Sequence, residues 1–168
     1  MAAPEKEPLI PRLLASNALR ANLSKHMVLN QMADQKASMI MTGASLVITI
    51  TLTQADRLGL ATVGLLLATG ILAILFSIFA IIPPLHATGA TNLFYFRSFA
   101  ELEEEEFIAS FKQTIADKEK LYDAYLHEIY YLGKHRLTRK YGLIRNGLWS
   151  LLLGLCAAAV VTLLQRVV

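Results

Sequence analysis

Cationic and aromatic side chains alternate over a short stretch in the second half of the chain, YYLGKHRLTRKYGLIR. Guanidinium groups bind phosphate through paired hydrogen bonds, and aromatic rings stack on unpaired bases. This combination suits a nucleotide or an oligonucleotide. The residues expected to bind such a ligand are Lys134, His135, Arg136, Arg139, Lys140, Arg145 and Tyr131.

A second interpretation of the same stretch stays open. Lysine and arginine also flank the cytoplasmic ends of membrane helices, where they set topology and bind anionic lipid. The basic stretch runs without proline into residues 146–164, which are nineteen residues without a charge. About twenty apolar residues are needed for a helix to cross a hydrocarbon core. The sequence therefore predicts a membrane helix that carries a cationic stem at the cytoplasmic membrane surface.

The composition agrees with a membrane location. The chain has 168 residues, of which 55% are hydrophobic, and its mean hydropathy is +0.47. These values are too high for an ordinary soluble domain of this size. The chain is expected to be an integral membrane protein.

Enzyme chemistry is not indicated by the sequence. The single cysteine, Cys156, lies in the last apolar run, so neither an intramolecular disulfide nor a cysteine-based metal site is expected. The four histidines do not follow a metal-ligand spacing, and no nucleophile or phosphate-loop motif is present. We expect no catalytic residue, metal or cofactor.

The apolar runs divide the chain into segments. We predict an all-α integral membrane protein with three transmembrane helices and long cytoplasmic helical extensions, assembled as an oligomeric funnel. The predicted segments are a flexible tail (1–15), a cytoplasmic amphipathic helix (16–36), a first span (37–55), a second span (58–83), a cytoplasmic helical stem (84–141), a third span (142–164) and an outside tail (165–168).

Local signals refine these segments. Ser16 is a predicted N-cap, Ser98 with Glu101 matches a capping box, and Asp117 is expected to cap a further helix that continues unbroken to Leu164. The aromatic residues Phe94, Tyr95 and Phe96 are predicted to anchor at the membrane interface. Small residues that allow close helix contact are Gly64, Ala68, Gly70, Gly154 and Ala158.

The first span is unusually polar. Ser38, Thr42, Ser45, Thr49 and Thr53 recur at steps of three or four residues and fall on one helix face, which we call the hydroxyl stripe. Such hydroxyls either bond back to helix carbonyls and neighbouring helices or face water in an oligomeric pore. The candidate pore-lining residues are Thr42, Ser45, Thr49 and Thr53.

The lysine and arginine distribution predicts the orientation. Five lie in residues 1–36, one in the turn after the first span, nine in residues 84–145 and one at the C-terminus. Basic segments stay in the cytoplasm. The N-terminus is therefore predicted inside and the C-terminus outside.

An ordered set of sequence features resembles the Pycsar-type transmembrane effectors of bacterial antiphage defence. The set consists of ADQKAS before the first span, a second span ended by prolines, LFYFRSF, and DAYLHEIYYLGKHRLTRKYGLIRNG entering the third span. The resemblance covers about residues 30–168. It implies a membrane-disrupting effector of the bacterial inner membrane, controlled by a nucleotide second messenger, although no cyclic-nucleotide-binding module is recognisable in the chain.

The three-span layout also resembles the membrane effectors of Hailong systems. That resemblance implies a tetrameric ion channel held closed by a single-stranded, oligodeoxyadenylate-like ligand that a partner nucleotidyltransferase supplies. Loss of the ligand would open the channel and depolarise the membrane. Two other functions stay open: a pore that a nucleotide messenger activates, and a membrane scaffold whose basic stem binds lipid.

Overall fold

The computed structural model describes residues 9–82, 93–94, 99 and 102–167 of the chain. Every regular element among these residues is helical, which confirms the all-α prediction for the described part. The helices are α1 (Leu9–Thr53), α2 (Leu60–Ile81), α3 (Glu104–Ala116), α4 (Lys118–Tyr131) and α5 (Thr138–Val167). A short 3₁₀ turn covers Ala55–Arg57, and a π-helical turn covers Leu132–Leu137.

Three helical segments are long and apolar enough to cross a membrane. They lie within Leu13–Thr53, Leu60–Ile81 and Lys118–Gln165. Three helices able to span a membrane are thus present, as predicted, and the bounds of the spans stay predictions. The chain also stays helical from Lys118 to Gln165, as predicted, but the six-residue π turn lies inside this segment.

The start of α1 differs from the prediction. The helix begins at Leu9, so Ser16 is not its N-cap and residues 9–15 are helical although a flexible tail was predicted for them. Pro11 lies in the first turn, where the missing N–H of proline removes no intrahelical hydrogen bond. From there α1 continues without interruption through MADQKAS into the apolar region, as the sequence predicts.

The contacts divide the chain into two compact units. Unit 1 consists of Met1–Leu29 and Pro84–Arg136, and unit 2 consists of Asn30–Pro83 and Leu137–Val168. The apolar part of α1, the whole of α2 and the whole of α5 therefore lie in unit 2.

Alanine predominates among the buried apolar residues of unit 2. The described core consists of Ala33, Ala37, Ile40, Ala44, Ala73, Ala80 and Ile144. Large apolar side chains such as Leu46, Phe79 and Leu153 are exposed instead. Small residues let membrane helices approach closely, while lipid solvates large apolar side chains on the outside. The arrangement is the one expected of helices that pack together within a bilayer.

Glycines mark the closest approaches between the helices of unit 2. A Cβ atom at Gly154 of α5 would overlap the side chain of Thr69 of α2, and one at Gly70 would lie 2.9 Å from Cγ1 of Ile48 on α1. Gly154 and Ala158 are both buried, as predicted for a small-residue contact. Gly64, by contrast, faces open space, so the close contact predicted for it does not occur among the residues that the structure describes.

Hydrogen bonds between side chains add to the packing of α2 on α5. The hydroxyls of Thr62 and Thr162 lie 3.3 Å apart, and Thr62 Oγ1 donates to Gln165 Oε1 at 3.4 Å. Ser150 Oγ donates to the carbonyl oxygen of Thr69 at 3.2 Å. These bonds supply partners for hydroxyl groups that lie between two apolar helices.

In unit 1, Asp117 separates α3 from α4. Its Oδ1 accepts hydrogen bonds from the N–H groups of Glu119 at 3.0 Å and Lys120 at 3.4 Å, which confirms the predicted cap. The predicted capping box of Ser98 and Glu101 lies outside the described residues. The described α3 begins at Glu104, and the side chain of its N-cap Glu103 makes no capping hydrogen bond.

Aromatic rings pack α3, α4 and the segment before them. Phe94 stacks on Tyr125 of α4 at 5.0 Å and meets Phe111 of α3 edge-on at 5.8 Å. Phe107 lies 4.7 Å from Phe99 and 5.6 Å from Phe111. Phe94 thus packs against rings on α3 and α4, and its place at a membrane interface stays a prediction. Tyr95 and Phe96 lie outside the described residues.

Candidate functional site

The π turn gathers part of the basic stretch into one exposed group. Tyr130 and Tyr131 end α4, while Lys134 and His135 lie in the turn itself. We call these four residues the aromatic-basic cluster. The ring of His135 lies 6.2 Å from that of Tyr130 and 5.5 Å from that of Tyr131. Hydrogen bonds in a π turn join residues five apart, which suits a contact between positions 130 and 135. Such turns occur frequently at functional sites.

Lys134 is held against a tyrosine and still faces the surface. Its ammonium donates a hydrogen bond to the Tyr130 hydroxyl, and Nζ lies 5.0 Å from the centroid of that ring. Lys134 and His135 are exposed, and Tyr130 is 54% exposed. The cluster therefore presents a fixed cation beside one exposed and one half-buried tyrosine ring, a combination that can attract phosphate and stack on a base.

A contact with α1 explains the glycine of the π turn. A Cβ atom at Gly133 would lie 3.2 Å from Nε2 of His26, which is a tight contact. Nδ1 of His26 hydrogen-bonds to the carbonyl oxygen of Asn22 at 2.9 Å, so the ring is held from its own helix. The sequence did not single out His26 for this place, because no pattern links it to a residue so far along the chain.

Lys140 has internal partners that the sequence did not predict. Its Nζ lies 2.5 Å from Oδ1 of Asp34 and donates to Oδ1 of Asn30 at 2.8 Å. We call Asn30, Asp34 and Lys140 the Lys140 cluster. The Lys140 side chain is only 11% exposed and that of Asp34 is 39% exposed. Of the residues predicted to bind a ligand, Lys140 is therefore the one most engaged in holding α5 on α1.

The neighbouring residue of α5 contacts α1 as well. Nζ of Lys36 lies 5.3 Å from the ring centroid of Tyr141. Ala33 and Ala37 are fully buried. Because successive helical residues are turned by about 100°, both alanines lie on the face of α1 between Asp34 and Lys36. Lys140 and Tyr141 thus contact α1 on both sides of its alanine face.

The other predicted ligand residues are distributed over both units. In unit 1, Arg136 is half-buried in the π turn, and the structure brings Tyr131, Lys134 and His135 together. In unit 2, Arg139 and Arg145 are exposed on α5. Binding of a ligand by these residues remains a prediction.

The hydroxyl stripe forms one exposed face of α1, as predicted. All five of its residues are exposed. Three hydroxyls donate to carbonyl oxygens of their own helix: Thr42 to Ser38 at 3.0 Å, Thr49 to Ser45 at 2.9 Å and Thr53 to Ile50 at 3.0 Å. These bonds fit the interpretation in which the hydroxyls are satisfied by the backbone. Lining of a pore by this face remains a prediction.

No metal centre is found in the part of the chain that the structure describes. Among residues 9–82, 93–94, 99 and 102–167, no group of three or more histidine, cysteine, aspartate or glutamate residues is placed to hold a metal ion.

Comparison with known proteins identifies the family. Neither a curated protein nor a solved structure matches the chain. The model of the Pycsar effector protein domain matches residues 18–165, which include the apolar spans, the aromatic-basic cluster and the Lys140 cluster. The match therefore covers the features described above and most of the chain. The protein belongs to the Pycsar effector protein domain family.

Proposed function

We propose that this protein is a nucleotide-gated ion channel that acts as a membrane effector of bacterial antiphage defence. Membership of the Pycsar effector family supports the defence role, and three apolar helices support a membrane location. In this proposal the N-terminus and the stem are cytoplasmic, and the C-terminus lies outside. The protein assembles as a homo-oligomer, a tetramer being favoured.

The observation that carries ligand binding is the aromatic-basic cluster on the π turn. Lys134 and His135 are exposed beside the rings of Tyr130 and Tyr131. Phosphate groups bind the Lys134 ammonium, and bases stack on the rings. Exposed Arg139 and Arg145 supply further positive charge along the same sequence, whereas Lys140 holds α5 on α1.

The ligand in the first candidate mechanism is a single-stranded oligonucleotide, oligodeoxyadenylate-like, made by a partner nucleotidyltransferase. Its phosphates bridge the basic stems of several subunits and so stabilise the closed state. A ligand shifts such an equilibrium only through its different affinities for the two states. When the ligand is lost, the like-charged stems repel each other, the channel opens and the membrane depolarises.

The second candidate mechanism has the opposite sign. A nucleotide messenger binds the same cluster and opens a closed pore. The family match favours this mechanism, because Pycsar effectors work with a partner that produces a cyclic nucleotide. Both candidates use the same residues and differ in the state that the ligand stabilises.

Ion flux through liposomes that contain the full-length protein distinguishes the candidates. Flux that appears only after treatment with a single-strand exonuclease supports the oligonucleotide that holds the channel closed. Flux that appears only after addition of cyclic nucleotides supports the messenger. If neither treatment produces flux, the channel proposal is wrong, and a scaffold whose basic stem binds anionic lipid or a partner protein becomes the better explanation.

A charge reversal tests the site. Lys134→Glu should abolish the response to whichever liposome treatment, exonuclease or cyclic nucleotide, produces flux in the wild type. The reason is that the substitution places a negative charge where phosphate is expected to bind. The matched control is Lys25→Glu, since Lys25 is also exposed in unit 1 but lies on α1. An unchanged response of Lys134→Glu would exclude the aromatic-basic cluster as the ligand site.

A further inference from the structure

Three threonine hydroxyls of the hydroxyl stripe direct their hydrogen towards the backbone of their own helix. A hydroxyl group has one donor hydrogen and two acceptor lone pairs. Thr42, Thr49 and Thr53 use the hydrogen on carbonyl oxygens of α1. Because these residues are exposed, what they offer to the exposed side of the helix is oxygen lone pairs. The threonines of the stripe are therefore arranged as hydrogen-bond acceptors.

The same face continues beyond the stripe without gaining a charge. Gln31 and Gln35 precede Ser38 at steps of four and three residues, and both are exposed. Their amide groups contain donors and acceptors alike, so they favour neither sign of ion. From position 31 to position 53, the face contains polar uncharged residues at this spacing.

Two charged residues near the N-terminal end of this face have partners on α5. Asp34 is paired with the ammonium of Lys140, and Lys36 lies over the ring of Tyr141. The Asp34–Lys140 pair produces a weak field at a distance, because its two charges are opposite. Among the uncharged residues of this face, the threonine oxygens are then the groups that favour one sign of ion.

We infer that α1 makes the channel selective for monovalent cations over anions. This inference depends on the proposed function, in which the hydroxyl stripe lines the pore. Oxygen lone pairs replace part of the hydration shell of a cation, whereas an anion requires hydrogen-bond donors, which these threonines have already used. The expected preference is roughly tenfold, the ratio that about 1.4 kcal/mol produces.

The reversal potential under a potassium chloride gradient measures this preference. The full-length protein is placed in a planar bilayer and opened by the treatment that produces flux in liposomes. The wild-type reversal potential should lie between zero and the potassium equilibrium potential, and closer to the latter. A potential near zero or near the chloride equilibrium potential would overturn the inference and leave the channel intact, whereas absence of any current would reject the channel and the inference together.

Two substitutions locate the selectivity. Thr42→Val and Thr49→Val remove an exposed hydroxyl and keep the shape of the side chain, so each should move the reversal potential towards zero. Thr51→Val is the matched control: its hydroxyl donates to the Val47 carbonyl oxygen at 2.7 Å in the same way, but Thr51 is only 2% exposed. Equal shifts in all three variants, or no shift at Thr42 and Thr49, would exclude the stripe as the selective surface.

Discussion

The ammonium of Lys140 on α5 forms an ion pair with Oδ1 of Asp34 on α1, at 2.5 Å. Asn30 accepts a second hydrogen bond from the same ammonium at 2.8 Å. The pair lies beside the fully buried Ala33 and Ala37, where the two helices meet. Lys140 therefore connects the helix that bears the predicted ligand residues Arg139 and Arg145 to the helix that bears the hydroxyl stripe.

Reversing the charge of Lys140 should destabilise unit 2. In Lys140→Glu, two carboxylates face each other in a largely enclosed site, and the free energy of unfolding should fall by about 1–3 kcal/mol, between the values typical of exposed and buried pairs. Thermal denaturation in detergent measures the loss. The double variant Asp34→Lys with Lys140→Glu restores opposite charges and should recover part of it.

The exposed Lys25 of α1 supplies the control for this pair. Lys25→Glu should change the denaturation temperature little, because exposed charges contribute weakly. If the double variant is no more stable than Lys140→Glu, the ion pair does not hold the helices together.

A methyl group at Gly154 should disrupt the packing of α5 on α2. The Cβ atom of Gly154→Ala would overlap the side chain of Thr69, whose hydroxyl already donates to the Leu65 carbonyl oxygen at 2.8 Å. Overpacking of this kind typically costs about 1–3 kcal/mol. Gly64→Ala is the control within a membrane span, since its Cβ atom would meet open space. Comparable denaturation temperatures for the two variants would contradict this packing.

Loss of the cap at Asp117 should weaken α4. Asp117→Ala removes the acceptor of two N–H groups, and N-cap replacements of this kind cost about 0.5–2 kcal/mol. Glu103→Ala is the matched control at the N-cap of α3, where the side chain makes no capping bond. Circular dichroism during thermal unfolding should show the larger loss for Asp117→Ala; an equal effect of Glu103→Ala would mean that capping is not the cause.

Arg139→Glu separates the two proposed mechanisms in cells. If an oligonucleotide holds the channel closed, the exposed Arg139 contributes to binding, and its reversal should make the protein toxic even without phage. If a messenger opens the channel, the variant should be harmless and no longer protective. Growth after induced expression measures the outcome, with Arg20→Glu as an exposed control on α1. Normal regulation of Arg139→Glu would remove Arg139 from the ligand site.

The elements of the fold were largely predictable because their signals are local. Three apolar runs indicated the spans, and the side chain at Asp117 indicated a cap that the structure confirms. The start of α1 was missed because Pro11 suggested an extended tail, although proline also fits the first turn of a helix.

The site was less predictable because it depends on contacts between distant segments. Lys140 and Arg139 are adjacent basic residues, yet Lys140 is enclosed by Asn30 and Asp34 while Arg139 is exposed. Nothing in the local spacing distinguishes them. The π turn was also unforeseen, because a continuous basic helix and a helix with one π turn have the same hydropathy pattern.

The alanine core of unit 2 has a consequence for how this sequence can vary. An alanine side chain has no rotamers, so buried positions such as Ala37 and Ala73 cannot repack around a larger neighbour. Exposed positions such as Leu46 and Leu153 face outward and should accept most apolar residues. Mutational tolerance along α1 and α5 should therefore alternate with the helical period: divergence accumulates on the outer faces, while the inner faces change only among the smallest residues.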